Sequence, residues 1–295
     1  MLRRAAALLF LSAAFCAQAA TEYAPMTNPV GSAAWWWDDS WWEEGQIGAP
    51  TNFPVRTQWI EYESGDVTVP ALVARPDDDR RYPAVLYQHG RRGLDDLLQL
   101  QVRRIAARGF VVLAPDVYSA RFIEKFPIAH DYAVELDVAM GLDVLLARQD
   151  VSTTRACLVS HTRGGYLALK AATTHGRQRD AAACYVSWYP HLQDPNAPEP
   201  MQVYRYAAEV DELAIPVLVF IGDEEQYQRR RSIETAIRSL QEAGKEAKLI
   251  IYPGVGRGFD FRPPTVRTFA DDLASKDAVQ RAASFIGTHL RPYAK

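Results

Sequence analysis

Ser160-His161-Thr162-Arg163-Gly164-Gly165 is the stretch that most narrows the folds open to this chain. A short apolar run, Ala156-Cys157-Leu158-Val159, leads into it, and an Ala- and Leu-rich segment of helical character, residues 166–173, follows. Strand, sharp turn and helix in that order are the setting of a nucleophile elbow, usually G-x-S-x-G or G-x-C-x-G-G. Small residues at the first, fifth and sixth positions let the turn pack tightly, and Ser160, Gly164 and Gly165 supply them. The central position, where Ser, Cys or Asp is expected, holds Thr162.

Strand-like and helix-like segments alternate on both sides of this turn. Residues 56–62 and 67–74 read as an antiparallel pair joined through Ser64-Gly65-Asp66. Residues 82–88, 110–114, 156–160, 183–188, 215–221 and 248–252 read as buried strands. Residues 94–108, 131–148, 229–243 and 277–290 read as helices, and residues 262–276 as an irregular insert. The alternation predicts an α/β fold with a mostly parallel central sheet and helices on both faces. A chain of 295 residues that is 48% apolar can build one large core of this kind.

Four further strand ends carry recognisable motifs. They are His89-Gly90, Ala114-Pro115-Asp116-Val117-Tyr118 and Gly222-Asp223-Glu224-Glu225, and Tyr252-Pro253-Gly254-Val255-Gly256-Arg257-Gly258-Phe259 follows as a fourth. Together with the elbow, over roughly residues 68–290, they resemble the dienelactone hydrolase family of α/β-hydrolases. The resemblance implies an α/β-hydrolase fold and ester or lactone hydrolysis by a nucleophile, an acid and a histidine, in that chain order. The family's nucleophile falls on Thr162. Its acid, three residues after the strand-end glycine, falls on Glu225, with Asp223 as a fallback. Its histidine, in a Y-P-G-x-x-H-G-F pattern, falls on Arg257.

Two of these three positions depart from the chemistry. A triad base must take a proton from the nucleophile and return it to the leaving group. Arginine, protonated at any ordinary pH, cannot do so. Threonine has a hydroxyl, but an elbow nucleophile usually sits at positive φ, where a β-branched residue is disfavoured by about 1–3 kcal/mol. The elbow is therefore expected either to have relaxed or to be free of selection for chemistry, and Thr162 reads as a leftover turn residue ahead of an unusual nucleophile or ligand contact. The bland reading of Arg257 is an ion pair with Glu225 in place of the acid–histidine hydrogen bond.

The remaining histidines are weak substitutes for the base. His161 is expected to point away from the substrate, His89 to be structural, and His130 to lie near a helix start. His191, in a loop at the carboxyl end of the sheet where open α/β folds bind ligands, is the best substitute and a candidate ligand contact. Arg163 follows the elbow, and Arg91 and Arg92 lie in the loop that forms part of the oxyanion hole in this fold. If the fold gathers these with Arg257, the pocket favours a carboxylate or phosphate.

Residues 1–19 read as a signal peptide: Arg3-Arg4, an apolar run over residues 5–15, and Ala17-Gln18-Ala19 at the cleavage site. This predicts a periplasmic or secreted protein with no integral membrane segment after cleavage. Removing the two positive charges of Arg3 and Arg4 takes the formal charge from −3 to −5, which argues against nucleic-acid binding. Residues 20–54 form a Trp-rich lead-in to a hydrolase-like domain spanning residues 55–295. In Trp35-Trp36-Trp37-Asp38-Asp39-Ser40-Trp41-Trp42-Glu43-Glu44 the indoles need something to pack on. A strap on the body is the first reading. A ligand or partner surface that includes Trp35 and Trp36 is the second. Cys157 and Cys184 are expected to be buried thiols rather than a bridge, since adjacent parallel strands are awkward for a disulfide. No metal or other cofactor is expected.

Three readings remain open: a catalytically degenerate hydrolase fold binding a small anion or a protein partner, an active exported hydrolase with an unorthodox site, and a carrier working through its Trp-rich strap. The first is favoured because of Thr162 and Arg257.

Overall fold

A computed structural model describes residues 21–23 and 53–295. Nine strands form one sheet in the order β1-β9-β8-β7-β6-β4-β5-β3-β2. They are β1 (Glu22–Tyr23), β2 (Val55–Ser64), β3 (Val67–Pro76), β4 (Tyr82–Gln88), β5 (Val111–Pro115), β6 (Val151–His161), β7 (Ala182–Trp188), β8 (Val217–Gly222) and β9 (Ala247–Tyr252). Strands β2 and β3 pair antiparallel, as do β3 and β5, and all other neighbours are parallel.

Parallel strands require crossovers, and helices supply them. They are α1 (Asp96–Ala106), α2 (Val117–Ala120), α3 (Val134–Leu146), α4 (Gly164–Ala172), α5 (Glu199–Tyr204), α6 (Glu209–Glu212), α7 (Tyr227–Glu242) and α8 (Phe269–Leu290). The central strands read as near-continuous apolar runs because both faces are covered. Residues of β5, β7 and β8 are all buried. This is the fold class expected from the alternation.

Three details differ from the sequence reading. Strand β6 begins at Val151, five residues before the apolar run, because Thr153 Oγ1 accepts a hydrogen bond from Ala84 N (3.1 Å) and joins the polar start to the ladder. The supposed insert over residues 262–276 ends in two turns of α8. Thr268 and Asp271 form a reciprocal capping box, with Asp271 N donating to Thr268 Oγ1 (3.1 Å) and Thr268 N donating to Asp271 Oδ2 (2.8 Å). Those turns bury Asp272 and Lys276 as an ion pair (3.3 Å), so the inward face carries charge and hides its helical period.

The third difference concerns the cysteines. Cys157 and Cys184 are bridged. A register shift between Ala156 and Cys157 sets the two residues directly opposite each other on β6 and β7, with Cα atoms 4.6 Å apart. In-register neighbours on parallel strands point to the same face, and this separation falls within the range a disulfide spans.

Among the described residues, no helix is long and apolar enough to cross a membrane. None form a group of three or more His, Cys, Asp or Glu able to hold a metal ion. Residues 1–20 and 24–52, with Trp35 and Trp36, lie outside the described part.

Candidate functional site

The elbow stands between β6 and α4. Thr162 has φ 53°, the left-handed conformation of a nucleophile elbow, and its N–H donates to Trp188 O (3.2 Å). A relaxed turn is therefore excluded: threonine holds the strained geometry itself. The surroundings impose it. A Cβ at Gly164 would collide with the carbonyl oxygen of Gln88 and lie 2.7 Å from that of His89, so only glycine lets α4 start this close to β4. A Cβ at Gly90 would collide with Thr162 Oγ1, so the threonine hydroxyl lies directly against the loop after β4.

A cavity of about 430 Å³ opens over Thr162. Arg91, Arg92 and Arg163 line it, as expected, and so do Arg257 and His191. Arg229 joins them from the first turn of α7, together with Gln226, Phe126 and Phe261. Five guanidinium groups therefore border one cavity.

Glu225 is the residue expected at the acid position. Its side chain is fully buried, Oε1 accepts from Gln226 N (2.9 Å), and Oε2 accepts from Arg257 Nη1 (3.2 Å). Arg257 also lies over the Tyr189 ring at 5.4 Å. Asp223, the fallback acid, does other work: its Oδ1 accepts from Gly254 N (2.8 Å) and ties together the loops after β8 and β9.

The other arginines differ in their partners. Arg92 pairs with Asp95 (2.6 Å) and lies over the Phe126 and Phe261 rings. Arg91 donates to the carbonyls of Pro127 (2.9 Å) and Phe126 (2.7 Å). Arg163 donates to those of Pro127, Ile128 and Ala129 at 3.1–3.3 Å. Arg229 donates to Gln193 Oε1 at 2.8 Å. These last three meet neutral oxygens. Burial, reinforced by Arg257 and Arg163, brings the Arg229 guanidinium down to about 10.

His191 is 5% exposed, and its backbone N–H donates to Thr162 O (2.7 Å). Its Nε2 is buried without a partner. Burial first, then the charges of Arg229, Arg257, Arg163 and Arg91, hold the ring far below the usual histidine range, so it is neutral at pH 7.

The other histidines are structural. His161 turns away from the cavity, stacks on Trp188 (centroids 4.9 Å apart) and lies between Asp260 Oδ2 (2.7 Å) and Tyr87 OH (2.9 Å). Nε2 of His130 meets Glu135 (3.1 Å). His89 bonds the carbonyl of Gly90 through Nδ1 (2.9 Å).

Sequence reasoning missed Arg229. Its signal was positional: α7 starts at Tyr227, two residues after Glu225, so its first turn borders the carboxyl edge of the sheet.

The dienelactone hydrolase family profile matches residues 69–290. The chain belongs to that family. A carboxymethylenebutenolidase homologue of Yersinia pestis is 27% identical over 214 residues, covering 66% of this chain and 76% of its own. A dienelactone-hydrolase-type structure from Klebsiella pneumoniae superposes with TM-score 0.63 at 21% identity, covering 79% of this chain and 99% of its own. Brefeldin A esterase, a bacterial homologue of human hormone-sensitive lipase, superposes with TM-score 0.65 at 17% identity, covering 83% and 80%. Thr162, Glu225 and Arg257, the residues that the sequence motifs set at the triad positions, lie together here: Thr162 and Arg257 line the cavity, and Glu225 pairs with Arg257.

Proposed function

We propose that this family member is an exported protein whose hydrolase site has lost its base and binds a small anionic ligand. The observation that carries the reading is the ion pair between Arg257 and the buried Glu225. It fills the acid–histidine position with a cation that cannot accept a proton. The surrounding guanidiniums support the second half of the reading, because a cluster of cations around one cavity attracts an oxyanion. Export is supported by the leader-like residues 1–19 and by the Cys157–Cys184 bridge, since disulfides persist in oxidising compartments.

One observation favours a second reading. Thr162 keeps the elbow conformation, and the neutral His191 shares its cavity with Nε2 unpartnered. His191 would then serve as the base for a slow threonine hydrolase.

Hydrolysis of a panel of aryl esters and lactones separates the two. The expected result is no turnover by the wild type or Thr162→Ala, and a gain of activity in the double variant Thr162→Ser, Arg257→His. Wild-type turnover that disappears in both Thr162→Ala and His191→Gln would establish the second reading instead.

A further inference from the structure

Charge balance around the cavity restricts what it can hold. Of its five guanidiniums, Arg257 is matched by Glu225 and Arg92 by Asp95. Arg91, Arg163 and Arg229 form no ion pair among the described residues. Glu225 also acts on Arg229 through space, but that carboxylate is already engaged by Arg257. Among the described residues, these three cationic charges have only neutral hydrogen-bond partners. Arg163 is 4% exposed, and its Nε, like His191 Nε2, is buried without a partner. A buried charge such as that of Arg163 is normally paired, and leaving it unpaired carries a desolvation penalty of several kcal/mol, while Arg91 and Arg229 are half-buried. A monocarboxylate would leave two of the three charges unbalanced.

Geometry narrows the class further. The cations come from separate segments: Arg91 from the loop after β4, Arg163 from the start of α4, Arg229 from α7 and Arg257 from the loop after β9. A planar carboxylate offers two oxygens in one plane and suits one or two forks. A tetrahedral dianion offers three oxygens spread in space and can meet donors arriving from several elements. The N-terminus of the nine-residue α4 lies at the same place, beneath Thr162, and adds to the attraction for a dianion. Phe126 and Phe261 line the same cavity and suit an apolar or aromatic remainder.

We propose that the ligand of this site is a phosphate monoester, a tetrahedral dianion on a small organic group. The inference rests on the anion-binding reading above and adds the charge and shape of the head group.

Calorimetric titration of the purified protein at pH 7.5 with four probes on one ring tests it: phenyl phosphate, phenyl sulfate, phthalate and neutral phenyl acetate. Phenyl phosphate and phenyl sulfate share a shape and differ by about one charge at this pH. The expected result is phenyl phosphate binding at least about tenfold tighter than either of the other anions. Arg229→Gln and Arg91→Gln should each weaken phenyl phosphate by about tenfold and narrow its lead over phenyl sulfate, with the variants checked for native melting. Phenyl sulfate binding as tightly as phenyl phosphate would overturn the dianion requirement, and phthalate binding more tightly would overturn the tetrahedral head. Either result leaves an anion pocket standing. No anion binding by the folded wild type would overturn both readings. Thr162-dependent hydrolysis of phenyl acetate would overturn the degenerate-site reading alone.

Discussion

Arg257 Nη1 lies 3.2 Å from Glu225 Oε2, so the two residues that the sequence motifs set at the histidine and acid positions form an ion pair. The glutamate side chain is fully buried and the arginine 23% exposed, which makes the pair asymmetric. Glu225 depends on Arg257 for charge balance, while Arg257 has access to water at the cavity.

Arg257→Met should therefore destabilise the protein by about 2–3 kcal/mol, at or just below the bottom of the range for breaking a fully buried pair because the cation is partly solvated. Replacing both partners, Arg257→Met with Glu225→Leu, should recover at least half of the loss, since no charge is then stranded. Urea unfolding of the two variants checks this. A double variant as weak as the single one would show that packing, rather than charge, sets the stability.

Thr162 holds φ 53° with a β-branched side chain. Thr162→Gly and Thr162→Ala both delete the hydroxyl, but only glycine removes the strain. Glycine should unfold about 1 kcal/mol later than alanine, the strain relief being partly offset by the chain entropy of glycine. Equal stabilities would mean that the strain is no larger than the entropy cost of glycine.

The Cys157–Cys184 bridge closes a loop with a sequence separation of 27 residues between two central strands. Chain-entropy reasoning gives it about 3–4 kcal/mol. Reduction under denaturing conditions should release two thiols. Melting in reductant should fall well below melting without it, whereas the Cys157→Ala, Cys184→Ala double variant should be insensitive to reductant.

His191 and His89 are both held below the ordinary histidine range by burial, His191 further so by Arg229, Arg257, Arg163 and Arg91. Their folded-state pKa values lie below the unfolded value, so the unfolded chain takes up protons that the folded rings refuse. Stability is then fully present above about pH 6.5 and falls as the pH drops below it, by up to about 1.4 kcal/mol per pH unit for each ring. Between pH 7.5 and 5.5, His191→Gln should lose about 1 kcal/mol less than the wild type in urea unfolding. Identical losses would show that His191 titrates freely.

Much of the site was legible from residue order. Glu225 and Arg257 follow fixed distances after strand-end motifs, and the ion pair between them follows from charge alone. Arg91, Arg92, Arg163 and His191 sit in loops that the α/β alternation sends to the carboxyl edge of the sheet. The start of α8 was illegible for a physical reason: its inward face buries Asp272 and Lys276, and a charged pair on that face erases the apolar period.

The sequence by itself determined the fold class, the elbow with its small frame residues, and the presence at position 257 of an arginine, which cannot accept a proton. These are local properties, set by strand and helix periodicity and by what a side chain can and cannot protonate. Tertiary structure decided the rest. Thr162 is locked at positive φ by the close approach of Gly90 and Gly164 to neighbouring strands and loops. Cys157 reaches Cys184 through a register shift. Arg229 meets three arginines from distant segments because parallel crossovers return every strand end to one edge, where burial concentrates charges that sequence spacing keeps apart.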